Sequence, residues 1–554
     1  MDNLDVNGID DIPNKQSSKK ENKKTTIILI VSVAIVVLAL IAGIFFAIMN
    51  GNEKSEGTVK SKGKKSSYWI SGNSLEPFDL YFLQLENEKQ NKVYSPLSIK
   101  YALEMLEEGT TGESKEQISK IIGNYEAKKY INSENMSFAN AMFIKDTYKD
   151  IINNNYLNTL KSKYDADVQY DSFATPDVVN SWVNNKTLGL INNLFQDISS
   201  QNFLLINSLA IDMEWNEKFI LYPIRGVGEK YFHEDFSWSG DKDVVSNYFK
   251  DVPENVSGME VIASFNKYDI VNTLGEENIR KTVKTEFEKY LEETPGYQIS
   301  NDISYLVDTT NLSEEEMMEI YLDQYIKDIN SNYKREKKTT EFSFYVDDTV
   351  KVFAKDLKEY NGTTLQYVSI MPTTESLDSY INNMKASDIN DIISNLKELK
   401  LENFKEGVVT KIRGFIPKFK FEYQLDLVGD LKKLGITNVF EKGKAKLENL
   451  SSDKSLYINE AVHKSNIELT QDGIKASAAT PAGGYGAAGG FDYLYDVPVE
   501  EIDLTFDKPY MFIIRDKETK EVWFTGTVYN PLLYSEDTTK NGFTIYKYRD
   551  WHQR

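Results

Sequence analysis

The stretch Phe203-Leu-Leu-Ile-Asn-Ser-Leu-Ala-Ile-Asp-Met213 is apolar at every position except Asn207, Ser208 and Asp212. A run this short and this apolar predicts a central strand covered on both faces, since a half-exposed strand would alternate with period two. With 554 residues, 41% of them hydrophobic, the chain can bury the large core that such a strand needs, in two or more structural units. Other segments agree. Ile99 to Leu106 carries helical periodicity after the turn Ser95-Pro96-Leu97-Ser98, whereas Lys418-Phe-Lys-Phe-Glu-Tyr and Tyr510-Met-Phe-Ile-Ile read as strands. Helices and strands are segregated instead of alternating regularly, which predicts an α+β fold over a doubly wound sheet.

Composition removes several function classes. A formal charge of −21 argues against nucleic acid as a partner, because phosphate binding needs a basic face. The absence of cysteine excludes disulfides, thiol nucleophiles and cysteine-ligated metals. Only His233, His463 and His552 are present, too few for a histidine-rich metal cluster, and no cofactor or metal is expected. His463 could act as a general base, but Val-His-Lys reads as strand interior and no G-x-S-x-G elbow accompanies it. No enzymatic activity is expected. The abundance of Asn, Lys, Tyr and Ile fits a bacterium with an AT-rich genome.

Residues 27–49 form an apolar run broken only by Ser32 and Gly43. As a helix these 23 residues would span about 35 Å, enough for a bilayer core. The run exceeds the apolar core of a cleaved signal peptide and predicts an uncleaved transmembrane signal anchor. Lys23 and Lys24 abut it, which favours a short inner N-terminus over 1–26 and an outer C-terminal body. Residues 50–67 read as a solvated linker. The expected location is therefore the cell membrane, single-pass, with the body extracellular.

Seven fragments in the body form an ordered set. They are Ser95-Pro-Leu-Ser-Ile99 with Ala102-Leu-Glu-Met-Leu106 and Gly109-Thr-Thr-Gly112; Ala139-Asn-Ala-Met-Phe143; Val179-Asn180-Ser-Trp182-Val183 with Thr187-Leu-Gly189; Asn207-Ser-Leu209 with Trp215 and Phe219; Pro417-Lys-Phe-Lys-Phe421; His463-Lys464 with Gly473; and Asp507-Lys-Pro-Tyr-Met-Phe512 with Gly526 and Asn530-Pro531. Together they resemble the serpin family over some 450 residues. The resemblance implies a serpin fold over 68–533: a large central β-sheet, further sheets, about nine helices and an exposed reactive loop, followed by a tail over 534–554. Between 240 and 338 no family motif is visible, and two amphipathic patterns predict a helical insertion. Ile279, Val283, Phe287, Tyr290 and Leu291 form one apolar face; Ser313 with Glu316 caps a second helix faced by Met318, Leu322, Tyr325, Ile326 and Ile329.

The resemblance also implies how the protein works. In serpins a cleaved loop enters the main sheet as an extra strand and releases stored strain. The matching hinge here is Gly473-Ile474-Lys475-Ala476-Ser477-Ala478-Ala479-Thr480, small enough to zip in, with Ile474, Ala476, Ala478 and Thr480 facing inward. Family spacing puts the reactive bond at Ala487-Ala488, about fourteen residues past Gly473, and a small residue there favours an elastase-like or subtilisin-like target. Pro481 and the glycines of 483–490 lower strand propensity without forbidding insertion. Ser95, Ser98, Asn180 and His463 are implied as the hydrogen-bonded set that controls sheet opening, with Trp215 and Gln471 at the top of the gap. The expected function is suicide inhibition of an extracellular serine protease. The alternatives are a non-inhibitory binding or adhesion protein and a cross-class inhibitor of cysteine proteases.

Overall fold

The computed structural model describes residues 35–39, 68–71, 74–191, 193–219, 256–332, 335–338, 340–458, 460–474, 498–533 and 536. Three sheets organise them. The main sheet contains β1 (Ile35–Ala39), β3 (Met136–Lys145), β4 (Asp167–Asp171), β5 (Phe203–Ile211), β6 (Met213–Glu214), β14 (Phe419–Asp426), β15 (Glu460–Leu469) and β16 (Gly473–Ile474). Its path runs β4-β3-β5-β1-β15-β16-β6, with β14 on the far side of β15. The second sheet runs Lys397–Glu398 (β12), Ser343–Val346 (β9), Val350–Asp356 (β10), Leu365–Pro372 (β11), Tyr510–Asp516 (β18), Val522–Val528 (β19) and Lys92–Tyr94 (β2). The third places Val499–Thr505 (β17), Val409–Pro417 (β13), Gly258–Asn266 (β7) and Arg335–Lys338 (β8) side by side.

The doubly covered strand expected over 203–213 is β5 with β6, and all nine residues of β5 are buried. The cover on one side is the Pro96–Gly109 helix, which packs against β5 and β19. It starts at Ser95 because Pro96 fixes the first helical φ and the Ser95 hydroxyl accepts the Ser98 N–H at 3.1 Å. Every residue from Pro96 to Leu106 is buried, including Lys100. That ammonium is matched by Asp79 at 2.7 Å and Glu521 at 3.1 Å, so the helix is pinned by a triad inside the core.

The apolar run 27–49 does not show the expected helix where it is described. Ile35–Ala39 is a strand, antiparallel to both β5 and β15, and the rest of the run lies outside the described residues. The physical reason is local: Ile-Val-Val is β-branched, and the facing edges of β5 and β15 offer unpaired backbone groups. Among the described residues no helix is long and apolar enough to cross a membrane.

The segment 240–338 also divides. Gly258–Asn266 is body, paired along its whole length with β13, and Met259, Val261, Ala263 and Phe265 alternate into the core. The helices begin only at Ile270. Glu276–Glu293 and Glu314–Asn332 bring Ile279, Val283, Phe287, Ile299, Met318, Leu322 and Ile326 into a core of their own, separate from the main one. Ser313 and Glu316 cap the second helix reciprocally, as their spacing predicts.

Candidate functional site

The site is a slot, the position one strand wide between β15 and the β5-β6 edge, filled below by β1 and above by β16. At its upper end, β15 turns through Thr470, Gln471 and Asp472 into β16. The Thr470 hydroxyl donates to the Gly473 carbonyl at 3.1 Å and accepts the Asp472 and Gly473 N–H groups at 3.2 and 3.3 Å. Gly473 then pairs with Glu214, and Ile474 with Met213 on one side and Leu469 on the other. A Cβ at Gly473 would fall 2.1 Å from the Met213 carbonyl oxygen, so only glycine admits this approach. The first two hinge residues therefore already stand in the slot, and Ile474 is fully buried.

Trp215 seals the turn from behind. Its indole N–H donates to the Thr470 carbonyl at 2.8 Å and its backbone N–H to the Asp472 carbonyl at 3.0 Å. Gln471 accepts the Phe219 N–H on its carbonyl at 3.3 Å and donates its amide to the Asp472 carboxylate at 2.8 Å. Asp472 in turn faces Lys218 at 3.6 Å, and Lys218 reaches Glu214 at 2.7 Å. Burial pushes the Asp472 carboxyl up while Lys218 opposes it.

Lower in the slot, His463 is completely buried. Its Nε2 accepts the Ser95 N–H at 2.9 Å and lies 2.9 Å from the Ser465 hydroxyl, which puts the imidazole proton on Nδ1. Burial alone pushes its pKa down to about 3. Among the described residues Nδ1 has no hydrogen-bond partner, nor has the Oδ1 of Asn207. These two residues flank the same rung: Val36 of β1 is the register partner of both His463 and Asn207. The two residues thus share one rung with β1 between them, their backbones about 10 Å apart at two strand spacings.

Ser95 and His463 are hydrogen-bonded, whereas Ser98 reaches only the Ser95 hydroxyl through its backbone N–H, its own hydroxyl having no partner among the described residues. Asn180 does not join them. Its side chain holds the turn at 194–195, accepting the Leu194 and Phe195 N–H groups and donating to the Phe195 carbonyl. Asn207 lies on the His463 rung but one strand away, across Val36, and its amide donates to the Asn140 Oδ1 at 2.7 Å. Asn207, Ser465 and Thr470 were missed by motif order; a polar residue inside a doubly covered strand was the available signal for Asn207. The hinge residues 475–480, Pro481, and the reactive bond Ala487-Ala488 lie outside the described residues.

A serpin (serine protease inhibitor) family model matches residues 78–235 and 331–531, well over half the chain. The chain belongs to the serpin family. The match is interrupted over the segment that carries the extra helices. Among curated relatives, an uncharacterized serpin-like protein of Methanosarcina acetivorans is 24% identical over 485 residues, covering 83% of this chain and 86% of the relative. A leukocyte elastase inhibitor of Xenopus tropicalis is 23% identical over 478 residues, covering 82% and 97%. Among solved structures, the thermophilic serpin tengpin in its native state aligns with a TM-score of 0.51 at 21% identity, covering 87% of this chain and 97% of tengpin. Uncleaved ovalbumin gives 0.51 at 18%, covering 84% and 100%. Both likenesses concern the fold.

Proposed function

We propose that this serpin is a suicide inhibitor of an extracellular serine protease, trapping the enzyme when the cleaved loop displaces β1 and inserts between β15 and β5. The observation that carries the reading is the hinge: Gly473 and Ile474 occupy the top rung of the slot, in register with both its walls. Continued at the same register, Ala476, Ala478 and Thr480 would share the buried face of Ile474, and Thr480 would arrive between His463 and Asn207. None of these side chains is charged, so insertion desolvates no ion. The kinship to a leukocyte elastase inhibitor supports a protease partner and favours an elastase-like or subtilisin-like one. Ala487-Ala488 is the proposed reactive bond, since about fourteen inserted residues past Gly473 make a strand of about 45 Å. The test is incubation with an elastase panel. An SDS-stable complex releasing a fragment that begins at Ala488 is expected. Cleavage without complex would leave the non-inhibitory binding reading, and a complex with papain-class enzymes alone the cross-class one.

A further inference from the structure

β1 stands in the part of the slot that a cut loop would fill. It runs antiparallel to both β15 and β5, the direction that Gly473-Ile474 takes between β15 and β6. The rungs coincide as well. Counted down β15 from Ile474 opposite Leu469, Ala479 falls opposite Lys464, where Ile35 stands, and Thr480 opposite His463, where Val36 stands. Counted along the other wall from Ile474 opposite Met213, Thr480 falls opposite Asn207, the partner of Val36 on that side too. Both walls therefore give β1 the rungs of residues 479–483. The hinge could lay down residues 475–478 before it met Ile35.

At those five rungs β1 is the better strand. Ile35, Val36 and Val37 are β-branched, and every residue of β1 carries an N–H for the ladder. The loop offers Ala479-Thr480-Pro481-Ala482-Gly483 at the same level. Pro481, at the rung of Val37, has no N–H to donate, and Gly483, at the rung of Ala39, loses more chain entropy on ordering than any other residue. β1 also belongs to the same chain, so it competes for the slot as a tethered strand. The loop gains through its full length of about fourteen residues, and most of that length lies at and below the rungs that β1 holds.

We propose that β1 is a gate built into the chain: a strand that holds the slot against the loop, so that full insertion, and the trapping of a protease, waits for β1 to leave. This rests on the inhibitory reading above and adds to it the element that controls it. A loop cut while β1 is in place stops at residue 478. The acyl-enzyme is then not drawn down the sheet. Water cleaves its ester, freeing the protease serine and leaving a carboxylate at the cut end of the loop, and the protein is spent as a substrate. With β1 withdrawn, the same cut leads to full insertion.

The test is a lock on β1 in the full-length chain. The protein has no cysteine, so Leu38→Cys with Ala461→Cys introduces the only thiols. The two residues are register partners, and opposed Cα atoms of an antiparallel pair stand about 4.5–5.5 Å apart, within the span of a disulfide. Oxidised and reduced forms of this one variant are compared in two assays. One is complex formation with a panel of elastase-class proteases on non-reducing denaturing gels. The other is the change in melting temperature when a metalloprotease, which attacks with a metal-bound water and forms no acyl-enzyme, nicks the loop. In the oxidised form the expected result is cleavage without complex and no change on nicking; reduction should restore the complex and a rise on nicking. As a second variant, Val37→Pro removes a ladder N–H from β1 and should raise the share of cut molecules that end in complex above the parent's. The gate is overturned if the two cysteines fail to join under mild oxidation, if the oxidised form traps protease or gains stability on nicking as the reduced form does, or if neither form responds in either assay. Equal trapping by both forms leaves the inhibitory reading standing. A nicking gain confined to the reduced form, with no complex from any form, upholds the gate and removes the inhibitory reading.

Discussion

Acid should weaken this fold through His463, and the size of the effect follows from its surroundings. In an unfolded chain the imidazole titrates near its ordinary value of 6.5, and in the fold burial holds it at about 3. The folded state therefore refuses a proton that the unfolded state accepts. The stability that neutral His463 contributes is complete above about pH 6.5 and is lost as pH falls from there toward 3. The slope is about 1.4 kcal/mol per pH unit, so roughly 2.7 kcal/mol disappear between pH 6.5 and 4.5. Protonation would put a hydrogen on Nε2, where the Ser95 N–H and the Ser465 hydroxyl already converge, and no carboxylate is there to compensate. Asp79, raised by burial to about 6, titrates with the opposite sign, so the wild-type curve alone mixes the two. The assay is urea unfolding of the wild type and His463→Gln from pH 7.5 to 4.5, read as the difference in stability at each pH. That difference should be flat above about pH 7 and shrink with the stated slope below 6.5. A difference that stays constant down to pH 4.5 would refute the reasoning and mean that water or a rearranged partner reaches Nδ1.

Two further substitutions probe the parts that frame the slot. Lys100→Met leaves Asp79 and Glu521 facing each other inside the core and should cost about 3–5 kcal/mol at neutral pH, measured by thermal or urea unfolding; lowering the pH toward 5 should recover part of the loss as Asp79 protonates. Gly473→Val forces a side chain against the Met213 carbonyl and should expel β16 from the slot, leaving overall circular dichroism unchanged. If the loop enters the sheet from this hinge, that variant should be cut by the target protease at the wild-type rate and yield little or no covalent complex on a denaturing gel.

The elements whose amino-acid pattern is local were the ones legible in the sequence. Ser95-Pro96 announces a helix start because both residues act within one turn, and the Ser313/Glu316 box does the same. The run 203–213 announces a buried strand because nothing polar interrupts it for long. Gly258–Asn266 was hidden for the converse reason: Met-Glu-Val-Ile-Ala-Ser-Phe is identified as body only by its partner β13, some 150 residues later. Asn180 and Asn207 illustrate the same limit within the site. Each is a buried asparagine in a motif of the right order, and which one shares a rung with His463 depends on a three-strand register that no local pattern encodes. The apolar run at 27–49 carries two propensities at once, length for a bilayer helix and β-branching for a strand. Its five described residues took the strand because β5 and β15 present open edges.

The unsatisfied pair across the slot bears on how the proposed insertion would be controlled. With one strand between them, His463 Nδ1–H and Asn207 Oδ1 each forgo a hydrogen bond in a buried place, at about 1–3 kcal/mol apiece. If β5 and β15 closed directly on each other, donor and acceptor would meet, and that gain would resist opening. An inserted loop of about fourteen residues would instead form ladder bonds on both of its edges, each worth about 1 kcal/mol net, besides burying Ile474 and the alanines that follow it. The sum over the strand outweighs the single latch several-fold. A His463–Asn207 contact of that kind, formed only with the gap closed, therefore could not decide whether the proposed insertion is favourable. It can decide how fast the first rungs open, because Thr480 would reach that level only after the upper rungs have formed. Under the proposed mechanism, a residue pair with this position would set the race between loop insertion and deacylation of the bound protease.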